Sequence, residues 1–67
     1  MPDTETITAA ESAVSEADDT LKQKQVELLA ARQGSEAAAI ETAEANLHQA
    51  EVELLAAREK LKAAQGQ

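Results

Sequence analysis

The sequence predicts an all-α protein: a two-helix antiparallel hairpin of the alanine-coil type that dimerises into a four-helix bundle. Three observations lead to this prediction. Residues 26–32 recur letter for letter as residues 52–58, large apolar residues recur at every seventh position, and the phase of that apolar stripe changes near Gly34. Two like halves with a helical period are most simply two like helices joined by a turn.

Each predicted helix has a seam of alternating large and small residues. The large seam residues are Ile7, Val14, Leu21 and Leu28 in the first helix and Ile40, Leu47, Leu54 and Leu61 in the second. An alanine follows three residues after each of them, except after Leu21, where Lys24 stands. Small residues at one of two heptad positions allow close approach of the helices. Lys24 is expected either to pair with Glu44 across the seam or to mark a point where the helices separate.

The phase change places a turn in the middle of the chain. Leu28 and Ile40 are twelve residues apart, which is not a multiple of seven, so one continuous helix would carry the stripe around its surface. Gly34 suits the left-handed position that ends a helix, and Ser35 suits the N-cap of the next. The prediction is a single domain of residues 1–67, with a first helix over about 4–32, a turn over 33–35 and a second helix over about 36–65.

The charge distribution favours the antiparallel arrangement. Residues 1–19 and 33–53 contain only acidic charges, whereas residues 20–32 and 54–67 each contain three basic residues and one acid. Antiparallel packing lays the acidic start of one helix beside the basic end of the other, and parallel packing would set acid beside acid.

A second apolar stripe lies off the seam. It consists of two pairs spaced i, i+3, and its members are Val26, Leu29, Val52 and Leu55. With a turn near residues 34–35, the first pair lies near the turn and the second far from it, so the pairs cannot cover each other within one chain. The sequence predicts that they form a self-association surface between two antiparallel hairpins; the alternative is that they are exposed residues without a partner.

Composition excludes several classes of function. The chain has no aromatic residue and no cysteine, so it cannot form a disulfide. Its 13 acidic and 6 basic residues argue against nucleic acid and anionic membranes as partners. No apolar run reaches the length of a membrane span, and residues 1–5 do not resemble a signal peptide, so a cytoplasmic protein, of a bacterial host if viral, is expected. His48 with Glu44 and Glu51 is interpreted as a solvated helix surface, and no metal, cofactor, small-molecule substrate or catalytic residue is expected.

Two classes of function remain open from the sequence. The first is a small acidic, non-enzymatic protein-binding module, such as a phage- or plasmid-type regulator or inhibitor that occludes a basic surface of a partner. The second is a structural coiled-coil element, such as a virion or scaffold component, an efflux-adaptor-like hairpin or a designed hairpin. The acidic partner surface of the first class is predicted to consist of Glu11, Glu16, Asp18, Asp19, Glu41, Glu44, Glu51 and Glu53.

Two resemblances accompany these classes. The alternation of alanine and leucine over residues 43–57 resembles the coiled-coil hairpin of bacterial efflux adaptor proteins. The architecture is similar to plasmid-copy regulator hairpins, which implies dimerisation into a four-helix bundle. The flanking domains of the adaptors and the basic and aromatic RNA-contact residues of the regulators have no counterpart in this chain, so neither family is assigned.

Overall fold

The protein consists of two long α-helices packed against each other. The computed structural model describes residues 3–66; Met1, Pro2 and Gln67, which the predicted domain includes, lie outside the described residues. Helix α1 spans Thr4–Gly34 and helix α2 spans Ala37–Gln65. The molecule measures 52 × 13 × 10 Å, little more than the roughly 46 Å length of α1 alone, so α2 runs back beside α1. The all-helical prediction is confirmed, and the arrangement is consistent with the predicted hairpin.

Helix α1 begins at a side-chain cap. The Asp3 carboxylate accepts a hydrogen bond from the Glu5 backbone N–H at 3.0 Å and another from the Thr6 hydroxyl at 3.1 Å. A carboxylate at this position satisfies a free backbone donor and favours the positive end of the helix dipole. The start of α1 is therefore fixed by its own first turn, independently of packing against α2.

The turn differs from the prediction in its chemistry. Gly34 is the last residue of α1, and Ser35 takes the left-handed conformation with φ 60°, while no glycine in the described chain has a positive φ. The Ser35 N–H donates to the Arg32 carbonyl at 3.2 Å and closes the helix. Glu36 is the N-cap residue of α2, and its side chain makes no capping hydrogen bond. The predicted left-handed Gly34 and the predicted N-cap at Ser35 are therefore wrong by one position each.

The position of the turn sets the register of the two helices. Since Ser35 and Glu36 join the helices, residues whose numbers add up to 71 lie at the same level. This register places Leu28 level with Ala43 and Leu54 level with Ala17. Each large seam residue lies level with an alanine of the other helix, except Leu47, which lies level with Lys24. The register expected from the sequence, with numbers adding up to about 69, would have placed Leu28 level with Glu41. The later turn is thus the one that agrees with the alternation of large and small seam residues.

The burial pattern follows the seam. The buried residues of the described chain are Leu28, Ala43, Ala50, Leu54 and Ala64. All the other seam positions are half-buried, including Lys24. Outside the seam only Asp18 and Thr20 are half-buried, and every other described residue is exposed. One face of each helix therefore provides the whole core, because a single neighbouring helix can cover only one face.

The turn supplies a first testable prediction. We expect the double variant Gly34→Ala, Ser35→Gly to be more stable than the natural chain by about 1–2 kcal/mol, because alanine favours the helix and glycine favours the left-handed position. A Cβ at Gly34 would meet no atom within 4 Å. Thermal unfolding followed by circular dichroism measures the effect. The control variant Ser35→Ala should lower the melting temperature. Equal melting temperatures for the natural chain and both variants would contradict the described turn.

Candidate functional site

The two apolar pairs of the second stripe are exposed on the outer sides of the helices. Val26 and Leu29, named apolar pair 1, are 65% and 60% exposed, and Val52 and Leu55, named apolar pair 2, are 46% and 60% exposed. One residue turns a helical side chain by about 100°, so Leu29 lies about 100° around α1 from the buried Leu28 in one direction and Val26 about 200° in the other. The two side chains are therefore only about 60° apart, on the side opposite the seam. Pair 1 therefore faces away from α2. The same spacing around Leu54 directs pair 2 away from α1.

The structure does not bring the two apolar pairs together. They lie on opposite sides of the molecule, one on the outer side of each helix. Counted from the turn at Ser35 and Glu36, pair 1 lies about 12 Å and pair 2 about 27 Å along the helices, at 1.5 Å per residue. A single neighbouring molecule placed on one side can therefore contact pair 1 or pair 2, but not both.

The surroundings of the two apolar pairs carry opposite charges. Residues 22–33 and 48–59 are corresponding segments of the internal repeat; the first contains pair 1 and the second contains pair 2. The first segment contains three basic residues and one acid, and the second contains one basic residue and three acids. This difference was not among the predictions from the sequence, although a position-by-position comparison of the two repeats would have revealed it. The two pairs are thus alike in shape and complementary in charge.

The predicted acidic residues divide among several surfaces. An ion pair of 3.8 Å joins Arg32 of α1 to Glu44 of α2 and marks one broad face of the hairpin. Steps of seven residues from these two side chains stay on that face, and its acidic members, named the acidic face, are Glu11, Asp18, Glu44 and Glu51. Arg32 and Arg58 are the basic residues of the same face. Asp18 is half-buried, and the other three acids are exposed.

The remaining predicted acids lie elsewhere. Glu16 and Asp19 are exposed on the outer side of α1, and Glu41 is exposed on the outer side of α2. Glu53 is on the opposite broad face, where its carboxylate accepts a hydrogen bond from Gln49 at 3.3 Å. In the register of the structure, Asp18 lies two residues from the level of Glu51, so the two acidic runs of the sequence meet near the middle of the molecule.

Few charges of the described chain are neutralised by neighbours. Within α1, Lys22 lies 3.2 Å from Asp18 and Lys24 lies 3.4 Å from Glu27. The expected pairing of Lys24 with Glu44 across the seam is therefore wrong, since each has another partner. The basic residues at the end of α2 form no ion pair with any carboxylate of residues 3–66. Among the described residues, Arg32–Glu44 is therefore the one direct ion pair between the basic end of one helix and the acidic start of the other.

The surface offers little concavity. A shallow, open groove on the outer side of α1 is lined by Lys22, Gln23, Val26 and Glu27, next to apolar pair 1. His48 is exposed on α2, and no three histidine, aspartate or glutamate side chains among residues 3–66 gather as metal ligands would. Within the same residues, neither helix has the length and apolarity that crossing a membrane requires. The candidate sites are therefore the acidic face and the two apolar pairs.

Known proteins were compared with the chain at three levels. The chain matches no protein-family model, no curated protein and no solved structure.

Proposed function

We propose that the protein is a small, non-enzymatic protein-binding module whose acidic face docks on a basic surface of a partner protein. The partner surface is one that carries clustered lysine and arginine, such as a groove that holds nucleic acid. By covering that surface the module acts as a regulator or inhibitor in the cytoplasm, of the phage or plasmid type expected from the sequence. The proposal requires no cofactor and no substrate.

The exposure of the carboxylates carries this proposal. Of the 13 acidic residues, only Asp18, Glu27 and Glu44 take part in ion pairs among the described residues. The others keep most of their charge available to a partner, because solvent-exposed charges are neutralised only when a partner brings opposite charge close.

Binding of this kind depends on salt in a defined way. Complementary charge accelerates the encounter of two proteins, and the acceleration falls as salt shortens the screening length to about 8–10 Å at ordinary ionic strength. The two arginines of the acidic face set its orientation on the partner, since a basic groove repels them and accepts the acids between them.

A charge-matched pair of variants tests the proposal. The first variant neutralises the acidic face with Glu11→Gln, Asp18→Asn, Glu44→Gln and Glu51→Gln. The control neutralises four acids outside that face, Glu5, Glu36, Glu53 and Glu59, each to Gln, so the net charge changes equally. We expect the natural chain and the control to capture the same basic protein from a bacterial lysate at low salt, and the first variant to bind that purified protein at least about tenfold more weakly.

Two outcomes would contradict the acidic face as a binding site. In the first, both variants lose the purified partner to the same extent, which means that net charge alone governs the interaction. In the second, neither variant loses it and the association rate is unchanged across a salt series. All eight substituted residues lie outside the seam, so both variants should keep their helicity. Circular dichroism of each variant checks this.

A second candidate function is a structural one, and the exposed apolar pairs favour it. Here the helices pack as an alanine coil, and hairpins associate through Val26, Leu29, Val52 and Leu55 into a four-helix assembly of two copies. Exposed apolar side chains that are paired at helical spacing are typical of surfaces that pack against another helix. The two functions are compatible, because the acidic face and the apolar pairs occupy different sides of the molecule.

A further inference from the structure

We infer that copies of this chain associate head to tail, with apolar pair 1 of one copy packed against apolar pair 2 of the next, in an open row that does not close as a dimer. The inference rests on the structural function proposed above, in that copies meet through the apolar pairs, and it replaces the closed assembly of two copies with an open row. It follows from three features: the direction of the pairs, their levels along the helices and the charges around them.

The direction of the pairs excludes a closed arrangement. Pair 1 faces outward from α1 and pair 2 outward from α2, so they point to opposite sides of the hairpin. A dimer that buried both pairs of both copies would require them on a common face. When pair 1 of one copy covers pair 2 of a second, the second copy presents its own pair 1 on the far side. Such heterologous contacts produce an open array.

The charges select pair 1 against pair 2 over like against like. Residues 22–33 contain two more basic than acidic residues, and residues 48–59 contain two more acidic than basic residues. Contact between two copies of pair 1 brings net positive surfaces together, and contact between two copies of pair 2 brings net negative surfaces together. The mixed contact joins opposite net charges, which favours its encounter and its register.

The charges also select the direction of the facing helices. Glu27 lies beside Glu53 in parallel packing and within one residue of the level of Glu53 in antiparallel packing, so these two acids do not distinguish the directions. Parallel packing would also superpose Arg32 on Arg58. Antiparallel packing about the centres of the two apolar pairs instead places Lys22 level with Glu59. It also places Arg32 within one turn of Glu51, on the same flank of the contact. The present partners of Lys22 and Arg32 are exposed carboxylates, so exchanging them costs little.

This packing defines the shape of the row. Because facing helices are antiparallel, and the two helices of each hairpin are antiparallel as well, every copy has the same orientation. The pairs lie at levels ten residues apart, so each copy is displaced along the helix axis by about 15 Å from its neighbour. The contact area is that of one helix against another, which is typical of weak interfaces below about 1,200 Å². Association is therefore expected only at high protein concentration.

Two blocked variants test the inference by sedimentation equilibrium. Leu29→Glu removes pair 1 and Leu55→Glu removes pair 2, while Thr42→Glu adds the same charge at an exposed position outside both contacts. We expect the natural chain and Thr42→Glu to grow beyond two copies at concentrations up to about 1 mM. Each blocked variant alone should remain monomeric. An equimolar mixture of the two should form a 1:1 complex and stop there, since each supplies the surface that the other lacks.

A charge exchange tests the antiparallel register separately. Lys22→Glu should weaken association about three- to tenfold, and the double variant Lys22→Glu, Glu59→Lys should restore it, because the two exchanged side chains again carry opposite charges across the contact. A monomeric natural chain at all concentrations would overturn both the structural function and this inference. Association of the natural chain without a complex in the mixture, or with Leu55→Glu still dimeric, would overturn the inference alone.

Discussion

Leu54→Ala should unfold most of the protein, whereas Leu55→Ala should leave its stability nearly unchanged. These leucines are neighbours in α2 with opposite environments, since Leu54 is 5% exposed and Leu55 is 60% exposed. Removing a buried leucine side chain costs about 2–5 kcal/mol, through lost burial and the cavity that remains. A domain of this size has a total stability of only about 3–5 kcal/mol. The loss at Leu54 is therefore comparable with the whole free energy of unfolding.

The measurement is urea unfolding followed by circular dichroism at low micromolar concentration, where the weak association proposed above is not expected. The helix propensities of leucine and alanine differ by only a few tenths of a kcal/mol, so propensity does not distinguish the two variants. The comparison isolates burial against α1, because residue type, helix and sequence position are otherwise matched. Equal midpoints for the two variants would show that the seam does not stabilise the chain.

The helices and their inner faces could be predicted from the sequence because both depend on a short repeating pattern. The seven-residue spacing from Ile7 to Leu28 determines which face of α1 is apolar, and the interval between Leu28 and Ile40 requires a break. These are properties of a helix surface and need no knowledge of the partner helix. The structure accordingly buries or half-buries every predicted seam position.

The conformation of the turn could not be predicted in the same way. Local preference assigns the left-handed position to Gly34, since glycine has no Cβ to clash. The structure gives that position to Ser35, a shift that sets each large seam residue except Leu47 level with an alanine of the other helix. Burial of several side chains outweighs a local preference of about 1 kcal/mol. Tertiary packing thus determines the turn, and only the facing pattern of both helices contains that information.

The candidate surfaces were predicted in part. The apolar pairs were identified as lying off the seam, and the structure shows them exposed. Their opposite directions follow from the helix geometry once both seams are known. The acidic residues were predicted as two runs along the chain, but a run of sequence spreads around a helix, and only the Arg32–Glu44 ion pair reveals which acids share a face. The charge contrast between the repeats was readable from the sequence and determines the proposed mode of self-association.

Ala50→Leu is expected to destabilise the protein strongly, and Leu21→Ala in the same chain is expected to recover part of the loss. Ala50 is 3% exposed and lies level with Leu21 in the register set by the turn. Adding three carbon atoms at a tightly packed position costs about 1–3 kcal/mol. Leu21→Ala alone should cost about 2–5 kcal/mol of stability. The lower end of this range is expected, because Leu21 is only half-buried.

In the double variant a large residue again lies level with a small one, with the helices exchanged. If the helices pack as the proposed alanine coil, the two changes compensate. The free energy of unfolding of the double variant should then exceed the value expected from adding the two single effects by about 0.5–3 kcal/mol. Ala45→Leu, at an exposed position of α2, controls for the effect of leucine on the helix itself and should change stability by less than about 0.5 kcal/mol. Unfolding midpoints of the four variants and the natural chain complete the cycle. Strictly additive losses would mean that residues 21 and 50 do not contact, and the interleaved packing of large and small residues would then have to be abandoned.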